Sequence, residues 1–520
     1  MTGLVDTPMI SARPAPLAQR RAWVRAFRLR LAAHLDALAQ AVGEELARPR
    51  WQTLTSELWP LLSACRWLER RGAGVLATSS RGGGFLQGGF LGLGRRVRLA
   101  REPLGRVAII ATWNYPVQLL GIQLAQAVFA GNRVVVKPSE NAPRSQALLL
   151  SLARAALADV GMDAATIDAT EPTRAAGERL LLESCFDHVI FTGSTAVGRA
   201  IAQRLAPSLT PSTLELSGRD SAFVLAGADV ELAATALFGA LCMNAGQTCM
   251  APRRVLVERS AYQPFLLSLA ALAAGAKPVR LISEHAAAEL YAQCLRSLAQ
   301  GARTVQGVVE PPRGRVMRPV VLVDCPAGAD LVAGAHFGPA MAVVPVESVR
   351  EAIGLHAACD QHLATSIFGP ASRARQLAAE LSSKGLTGGV VTINDVIAPT
   401  GLAGVSISGR GPSGWGVSRG AEGLLAMTRP VQVTQTATPI AKGLWKTALN
   451  VPAKMEGQMA GFLRWWYGGG GAGGGVGGGM DGAAVNHPGG EDRSVQAAAA
   501  PVAERKGEAH GQPERQSSVV

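Results

Sequence analysis

No two of the seven cysteines, Cys65, Cys185, Cys242, Cys249, Cys294, Cys325 and Cys359, form a Cys-x-x-Cys pair. An odd, scattered set of this kind argues against a disulfide framework and against a zinc site, and for a reducing compartment, the cytoplasm. Aromatic residues are scarce, at 5%, while 48% of the chain is hydrophobic, with Leu, Ala and Val abundant. That composition is of a soluble α/β protein rather than a disordered or membrane one. The charged-then-apolar pattern of a signal peptide is also missing, since arginines interrupt the first residues throughout. One uncharged run, residues 107–132, has the length of a bilayer span. It contains Asn114, Pro116 and three glutamines, so a buried strand followed by a helix is expected and no spanning helix. At 520 residues the chain is too long for one core, and two or three domains are expected.

Acidic residues are the rarer charge, 38 against 51 Lys and Arg, for a net charge of +13. Most of the excess lies in residues 1–106, which hold 17 arginines and 7 acids. Arg20, Arg21, Arg25, Arg28 and Arg30 fall in a helical pattern whose other face holds Trp23, Phe27, Leu29 and Leu31. A solvated helix face is the expectation, and no nucleic-acid partner, because no nucleic-acid motif accompanies the charge.

Residues 15–75 read as amphipathic helices. From residue 107 strand and helix patterns alternate: "VAIIAT" leads to "VQLLGIQLAQAVFAG", "RVVVKP" to "RSQALLLSLARAAL", and "HVIFTG" to "TAVGRAIAQRLAP". Short Val/Ile runs each followed by a helix mark a parallel, doubly wound sheet. After "STLELSG" a second α/β series begins with "SAFVLAG", a helix through "VELAATALFGALCMNAG", and "RRVLVE". Beyond about residue 434 the character changes. Residues 441–467 suit an amphipathic segment, and the Gly-rich stretch that follows cannot bury a core, so residues 468–520 are expected to be disordered.

Four short segments carry the candidate chemistry. Asn114 follows the strand "VAIIA", at the sheet edge where ligands bind, and its amide suits a developing oxyanion; a structural turn residue is the plainer reading. Lys137 and Glu140 share the loop of "VVVKPSE", and both suit ribose hydroxyls. In "FTGSTAVG", Gly193 ends a strand and Ser194 or Thr195 caps the next helix, a seat for phosphate or simply a cap. The Gly-x-Gly-x-x-Gly fingerprint is absent at this strand end. Glu215 of "LELSG" and Cys249 of "NAGQTC" pair a carboxylate with a thiol, the parts of covalent catalysis followed by water activation. A lone cysteine is more often core, but Asn244, Gln247 and Thr248 beside Cys249 favour a working thiol, whereas Cys242 reads as core. No metal is implied.

"TWNYP", "VVVKPSE", "FTGSTAVG", "TLELSG" and "NAGQTC", continued by "HFGPAMAV" and "SGRGPSGWGVSRG", resemble the NAD(P)-dependent aldehyde dehydrogenase superfamily in order and spacing, over roughly residues 15–435. The wording is most similar to its class 3-like branch. The resemblance implies an α/β fold with a Rossmann-type cofactor domain (residues 1–83 and 102–214), an α/β catalytic domain (215–419) and a small bridging β-arm (84–101 and 420–436). Outside it stand an amphipathic extension (437–467) and the tail (468–520). It implies that Cys249 is the nucleophile, that Asn114 and the Cys249 N–H hold the oxyanion, and that Glu215 activates the deacylating water. Lys137 and Glu140 would bind the adenosine ribose, Gly193 and Ser194 the pyrophosphate, while Trp113 and Phe337 would flank the cofactor. The reaction implied is oxidation of a small-molecule aldehyde to a carboxylic acid with NAD or NADP, Glu140 favouring NAD, in a homodimer.

Three features depart from the family pattern. Ala335 stands where the family usually has a glutamate for the nicotinamide ribose, with His336 beside it as a candidate substitute. Ser217-Gly218-Arg219 replaces Gly-Gly-Lys after the base. Residues 270–315 are shortened. The alternative reading is therefore a weakened or inactive member that binds a nucleotide or a partner; the intact Cys249, Glu215 and Asn114 argue against it. The aromatic and aliphatic residues of 441–467 suit docking on a membrane surface or a protein shell, or packing on the body or a second subunit.

Overall fold

The structure, a computed structural model, describes residues 14–80, 94–183, 185–219, 221–449 and 453–467. The expected tail (468–520) and residues 84–93 of the expected arm lie outside the described residues. The chain divides into two compact units, Met1–Ile440 and Ala441–Val520.

The uncharged run of residues 107–132 resolves into the strand Arg106–Ile110, a turn and the helix Gln118–Ala130, every residue of which is buried. The helix stops at Gly131, whose φ of 103° satisfies the last carbonyls in a conformation that a side chain would oppose. Among the described residues no helix is long and apolar enough to cross a membrane.

The first sheet has the order Gly414–Trp415, Ser212–Leu216, His188–Gly193, Arg106–Ile110, Arg133–Lys137, Ile167–Ala169. All its pairings are parallel except that of Gly414–Trp415 with Ser212–Leu216. Helices cover both faces, so the strands are nearly continuous runs of buried Val, Ile and Leu. The order reverses between Arg106–Ile110 and His188–Gly193, which creates the crevice where ligands bind in such sheets. A second sheet runs Arg303–Thr304, Val320–Val323, Ala340–Val346, Arg254–Glu258, Ser221–Val224, Ala364–Phe368, Val390–Ile393, parallel apart from its first pair. A third, antiparallel sheet pairs Arg95–Pro103 with Thr428–Thr436 over nine residues, with Ser79–Ser80 on its other side.

The N-terminal helix Leu17–Ala33 packs on the first sheet's helices through Trp23, Phe27 and Leu31, and the Trp23 indole donates to the Ala153 carbonyl at 3.1 Å. Each such burial contributes about 1.5–3 kcal/mol. Leu29, expected on this face, is instead 51% exposed: two residues past Phe27, it lies some 200° round the helix. The basic stripe is only partly a solvated face. Arg28 pairs with Glu69, Arg30 with Asp159, and Arg20 donates to the Phe129 carbonyl, whereas Arg21 and Arg25 are exposed. Charges committed to internal partners are not offered to phosphates.

The helix Val230–Cys242 ends four residues before the apolar pattern does. Asn244 (φ 49°), Ala245 (φ 54°) and Gly246 (φ 69°) are left-handed in succession, which no α-helix tolerates. In the second unit the described residues are helical, carried by Thr438–Leu449 and Ala453–Tyr467.

Candidate active site

The first sheet aligns its strand ends. Ile110 lies opposite Lys137 and Phe191, and Thr192 opposite Glu215, so Asn114, Lys137, Gly193 and Glu215 share one carboxyl edge. Cys249 comes from the other series, in the turn that follows the left-handed run. The two series meet at Gln247, whose carbonyl accepts from the Asn114 amide at 3.1 Å and from the Asn244 amide at 2.9 Å. The Asn114 amide nitrogen carries a second hydrogen for another acceptor. The Tyr115 hydroxyl meets Thr248 Oγ1 at 2.7 Å, and burial pushes this phenol up to about 12, so it stays neutral.

The turn is built under constraint. A Cβ on Gly246 would come within 2.4 Å of the Gly338 backbone, so only glycine lets the turn approach the "HFGP" segment. Consecutive left-handed residues without glycine cost of order 1–3 kcal/mol each and persist where the surroundings over-determine them. Three features supply that constraint. Gln247 Oε1 accepts from the Ile282 N–H at 2.8 Å. Arg253, 1% exposed, donates to the carbonyls of Thr248, Cys249, Ala251, Gly218 and His336. Its guanidinium also lies over an aromatic face, 5.4 Å from the Phe337 ring centroid. Arg253 thus ties the Cys249 turn, the loop after Glu215 and the "HFGP" segment together.

The third is a buried ion pair. Arg48 and Glu57 have side chains only 1% and 0% exposed. Arg48 donates to Glu57, to the Asn114 carbonyl and, at 2.6 Å, to Asn244 Oδ1. Glu57 accepts from the N–H groups of Val117 and Gln118 at 2.7 and 3.0 Å. Burial pushes the Glu57 carboxyl up, and Arg48 with those two N–H groups opposes the shift. The pair fixes the backbone that carries Asn114.

Glu215 Oε1 accepts from Gln123 Nε2 at 3.2 Å. Cys249 is partly buried, and none of the seven cysteines forms a disulfide. Burial raises the Cys242 thiol to about 11 and those of Cys65, Cys294 and Cys325 to about 12, which leaves these four inert at neutral pH.

On the cofactor side, Ser194 caps the helix Thr195–Leu205 by accepting from the Val197 N–H. No acid lies in that helix's first turn, so no carboxylate of its own offsets the positive end. Lys137 Nζ lies 2.6 Å from Glu140 Oε2; burial opposes ionisation of Glu140, but the lysine outweighs it and holds the carboxyl below its ordinary value. Trp113 and Phe337 meet edge to face at 5.9 Å. These donors suit a dinucleotide: a helix N-terminus for the diphosphate, a carboxylate and an amine for ribose, aromatic walls for a ring. The exposed Ala335 adds no acceptor. His336 does not replace the missing carboxylate: its Nε2 lies 3.0 Å from the Ala340 carbonyl, and burial, then Arg253, push its pKa down to about 3. Arg219, in place of the usual lysine, donates to the Ala333 carbonyl and pairs with Asp360 at 3.0 Å.

Arg48, Glu57, Gln123 and Arg253 are residues around the candidate site that the sequence analysis did not single out. "PRR" after the cysteine was the only local signal for Arg253; Arg48, Glu57 and Gln123 reach site partners 60 or more residues away.

A sequence model described as the aldehyde dehydrogenase family matches residues 10–433. The chain is 32% identical over 429 residues to a 4,4'-diapolycopene aldehyde oxidase of Methylomonas sp, covering 81% of this chain and 78% of that protein. It is 30% identical over 330 residues to the dimeric NADP-preferring aldehyde dehydrogenase of Canis lupus familiaris, covering 61% and 69%. An aldehyde dehydrogenase of Mycobacterium tuberculosis complexed with NAD+ superposes with a TM-score of 0.72 at 26% identity, covering 81% and 85%.

Proposed function

The chain belongs to the aldehyde dehydrogenase family, and from that premise we propose how its residues divide the NAD(P)-dependent oxidation of an aldehyde to a carboxylic acid. Cys249 Sγ adds to the carbonyl carbon and forms a thiohemiacetal. The second amide hydrogen of Asn114 and the Cys249 N–H hold the oxygen as it becomes negative. NAD(P), when bound, supplies the hydride acceptor. The thioester left on Cys249 is attacked by water, whose proton Glu215 takes, and the acid leaves as the thiol is restored. Gln123 orients Glu215 for that step. Lys137 and Glu140 bind the adenosine ribose, Gly193 and Ser194 the diphosphate, and Trp113 with Phe337 flank the nicotinamide. The observation that carries this reading is the Asn114–Gln247 hydrogen bond, which joins the oxyanion donor to the nucleophile turn.

The finer assignments have separate support. Glu140 accepts from a free 2′-hydroxyl and repels a 2′-phosphate, which favours NAD. The wording around Cys249 favours the class 3-like branch. The name of the Methylomonas relative favours a long apolar aldehyde. Thr428–Thr436 is an edge strand among the described residues and favours a homodimer through strand addition. The absence of disulfides among seven cysteines favours the cytoplasm.

Residues 441–467 are a docking segment for the anionic face of a membrane. Trp445, Leu449, Met459, Leu463, Trp465 and Trp466 are exposed, and Lys442, Lys446, Lys454 and Arg464 outnumber the one acid, Glu456. Exposed indoles beside basic residues suit the headgroup region. Vesicles of phosphatidylglycerol should sediment the full chain and phosphatidylcholine vesicles should not; equal sedimentation of a Trp445→Ser/Trp465→Ser/Trp466→Ser variant contradicts the assignment. The enzymatic reading is tested by NADH and NADPH formation across a panel from short to polyene aldehydes, beside Cys249→Ala. Equal turnover by that variant contradicts it.

A further inference from the structure

The two ends of the Asn114 amide have nearly the same shape, so hydrogen bonds alone decide which way round it sits. One orientation offers a substrate an N–H and the other a repelling oxygen. The choice is made by partners that can each play only one role. The Gln247 backbone carbonyl accepts and cannot donate. It takes Asn114 Nδ2 at 3.1 Å and Asn244 Nδ2 at 2.9 Å, which occupies both of its lone pairs. Asn244 is itself fixed, because its Oδ1 faces the donor-only guanidinium of Arg48 at 2.6 Å. The nitrogen of Asn114 is thereby held toward Gln247, and Oδ1 points to the opposite side. There the Thr112 hydroxyl donates to it at 2.9 Å.

Thr112, Asn114, Asn244 and Gln247 are all buried, where leaving a polar atom unpaired is costly. The backbone that carries the hydroxyl is held as firmly as the amide it meets. Gln146, fully buried, donates from Nε2 to the Thr112 carbonyl at 2.8 Å and accepts the Ser139 N–H on Oε1 at 2.6 Å. One residue earlier, the Ala111 N–H donates to the Lys137 carbonyl at 2.9 Å. Thr112 therefore projects from a segment tied to the loop of Lys137 and Glu140, and its hydroxyl reaches Asn114 from a fixed position.

We propose that Thr112 is a positioning residue for the reaction: its hydroxyl pins Asn114 Oδ1, so that the amide presents its second N–H, and not its oxygen, to the carbonyl oxygen of the substrate. This rests on the reading of Asn114 as the oxyanion donor. The bond also polarises the amide, since a hydrogen bond accepted at the oxygen strengthens the donor at the other end. The benefit grows as the substrate oxygen becomes negative, so it falls on the transition state more than on substrate binding. No proton is transferred, and the Thr112 hydroxyl stays neutral throughout.

The test is a double-mutant cycle in the full-length protein, read as kcat and KM with an aldehyde and cofactor that the parent turns over. Thr112→Val keeps the shape of threonine without the hydroxyl. It should lower kcat about tenfold, the weight of one hydrogen bond, with the KM for the cofactor unchanged. Thr112→Ser returns the donor and should return kcat to near the parent's. Asn114→Ala should itself lose about a hundredfold. Adding Thr112→Val to it should change kcat by less than about twofold, because the group to be positioned is gone. A packing role would instead cost the same factor in both backgrounds. If Thr112→Val does not fold, Thr112→Cys takes its place, and its weak donor should leave kcat about threefold below the parent. A parent-like kcat in whichever variant folds, or an equal loss in the Asn114→Ala background, overturns the proposal. Asn114→Ala separates the two levels: if it turns over like the parent, the oxyanion reading has failed, and if it is slow while the cycle is additive, only the role of Thr112 has.

Discussion

Replacing Arg48 with alanine removes three hydrogen bonds at once, to Glu57, to the Asn114 carbonyl and to Asn244 Oδ1. What remains is the Glu57 carboxylate, wholly buried and held only by the N–H groups of Val117 and Gln118. Breaking one side of a buried pair costs about 3–5 kcal/mol, most of it the uncompensated charge. The double variant Arg48→Met/Glu57→Gln retains an oxygen for the two N–H groups and leaves no charge. It should lose less than Arg48→Ala alone, by about 2 kcal/mol. The pH dependence follows from the same charge. Burial already raises Glu57 above 4.5, and without Arg48 it rises further. A raised carboxyl stabilises the fold fully below 4.5 and loses that contribution as pH rises through the folded pKa. The penalty in Arg48→Ala should therefore be largest at neutral pH and shrink toward pH 4.5. Urea unfolding followed by tryptophan fluorescence measures all three proteins. A loss below about 1 kcal/mol for Arg48→Ala, or a double variant worse than the single one, refutes the reasoning.

Other perturbations have equally definite outcomes. Burial lowers His188 and His356 from 6.5 to about 4, so both fold neutral and bind protons only when unfolded between those values. Stability should be level above pH 6.5 and fall as pH drops from 6.5 to 4, by up to roughly 1.4 kcal/mol per pH unit for each histidine; a melting temperature flat over that window counts against it. Gly246→Ala should destabilise by about 2–4 kcal/mol, because φ is unfavourable and the new methyl meets Gly338, and should lower kcat by more than about a hundredfold through displacement of Cys249; kinetics like the parent's would show that the turn can relax. Glu140→Gln should weaken NAD and improve NADP relative to it, each seen in KM, with kcat little changed; an unaltered ratio would remove Glu140 from the ribose site.

The alternation of Val/Ile strands with helices was legible because a parallel sheet covered on both faces needs continuous apolar strands, and residues 107–132 show it. Leu29 shows the limit of pattern alone: Trp23, Phe27 and Leu31 are buried, but helix geometry turns this one outward. The end of the helix at Cys242 was hidden because Asn244 and Ala245 carry no glycine signal, and their left-handed backbone is imposed by distant contacts. The candidates Cys249, Glu215 and Asn114 could be named from their local motifs. Arg48 and Arg253 could not, since a buried arginine and a surface one look alike until the chain returns to meet them. The suggestion that His336 compensates for Ala335 failed for the same reason, because the ring's direction is set by the strand Ala340–Val346.

The central claim is that the substrate becomes covalently attached to Cys249. In Glu215→Gln, with an aldehyde and NAD supplied, release of the acid should be slowed while attachment proceeds. Intact-mass and peptide mass spectrometry should find one acyl group per chain, on the peptide carrying Cys249, and none in Glu215→Gln/Cys249→Ala. Steady NADH formation by Cys249→Ala, or an acyl group on any other residue, would contradict the account.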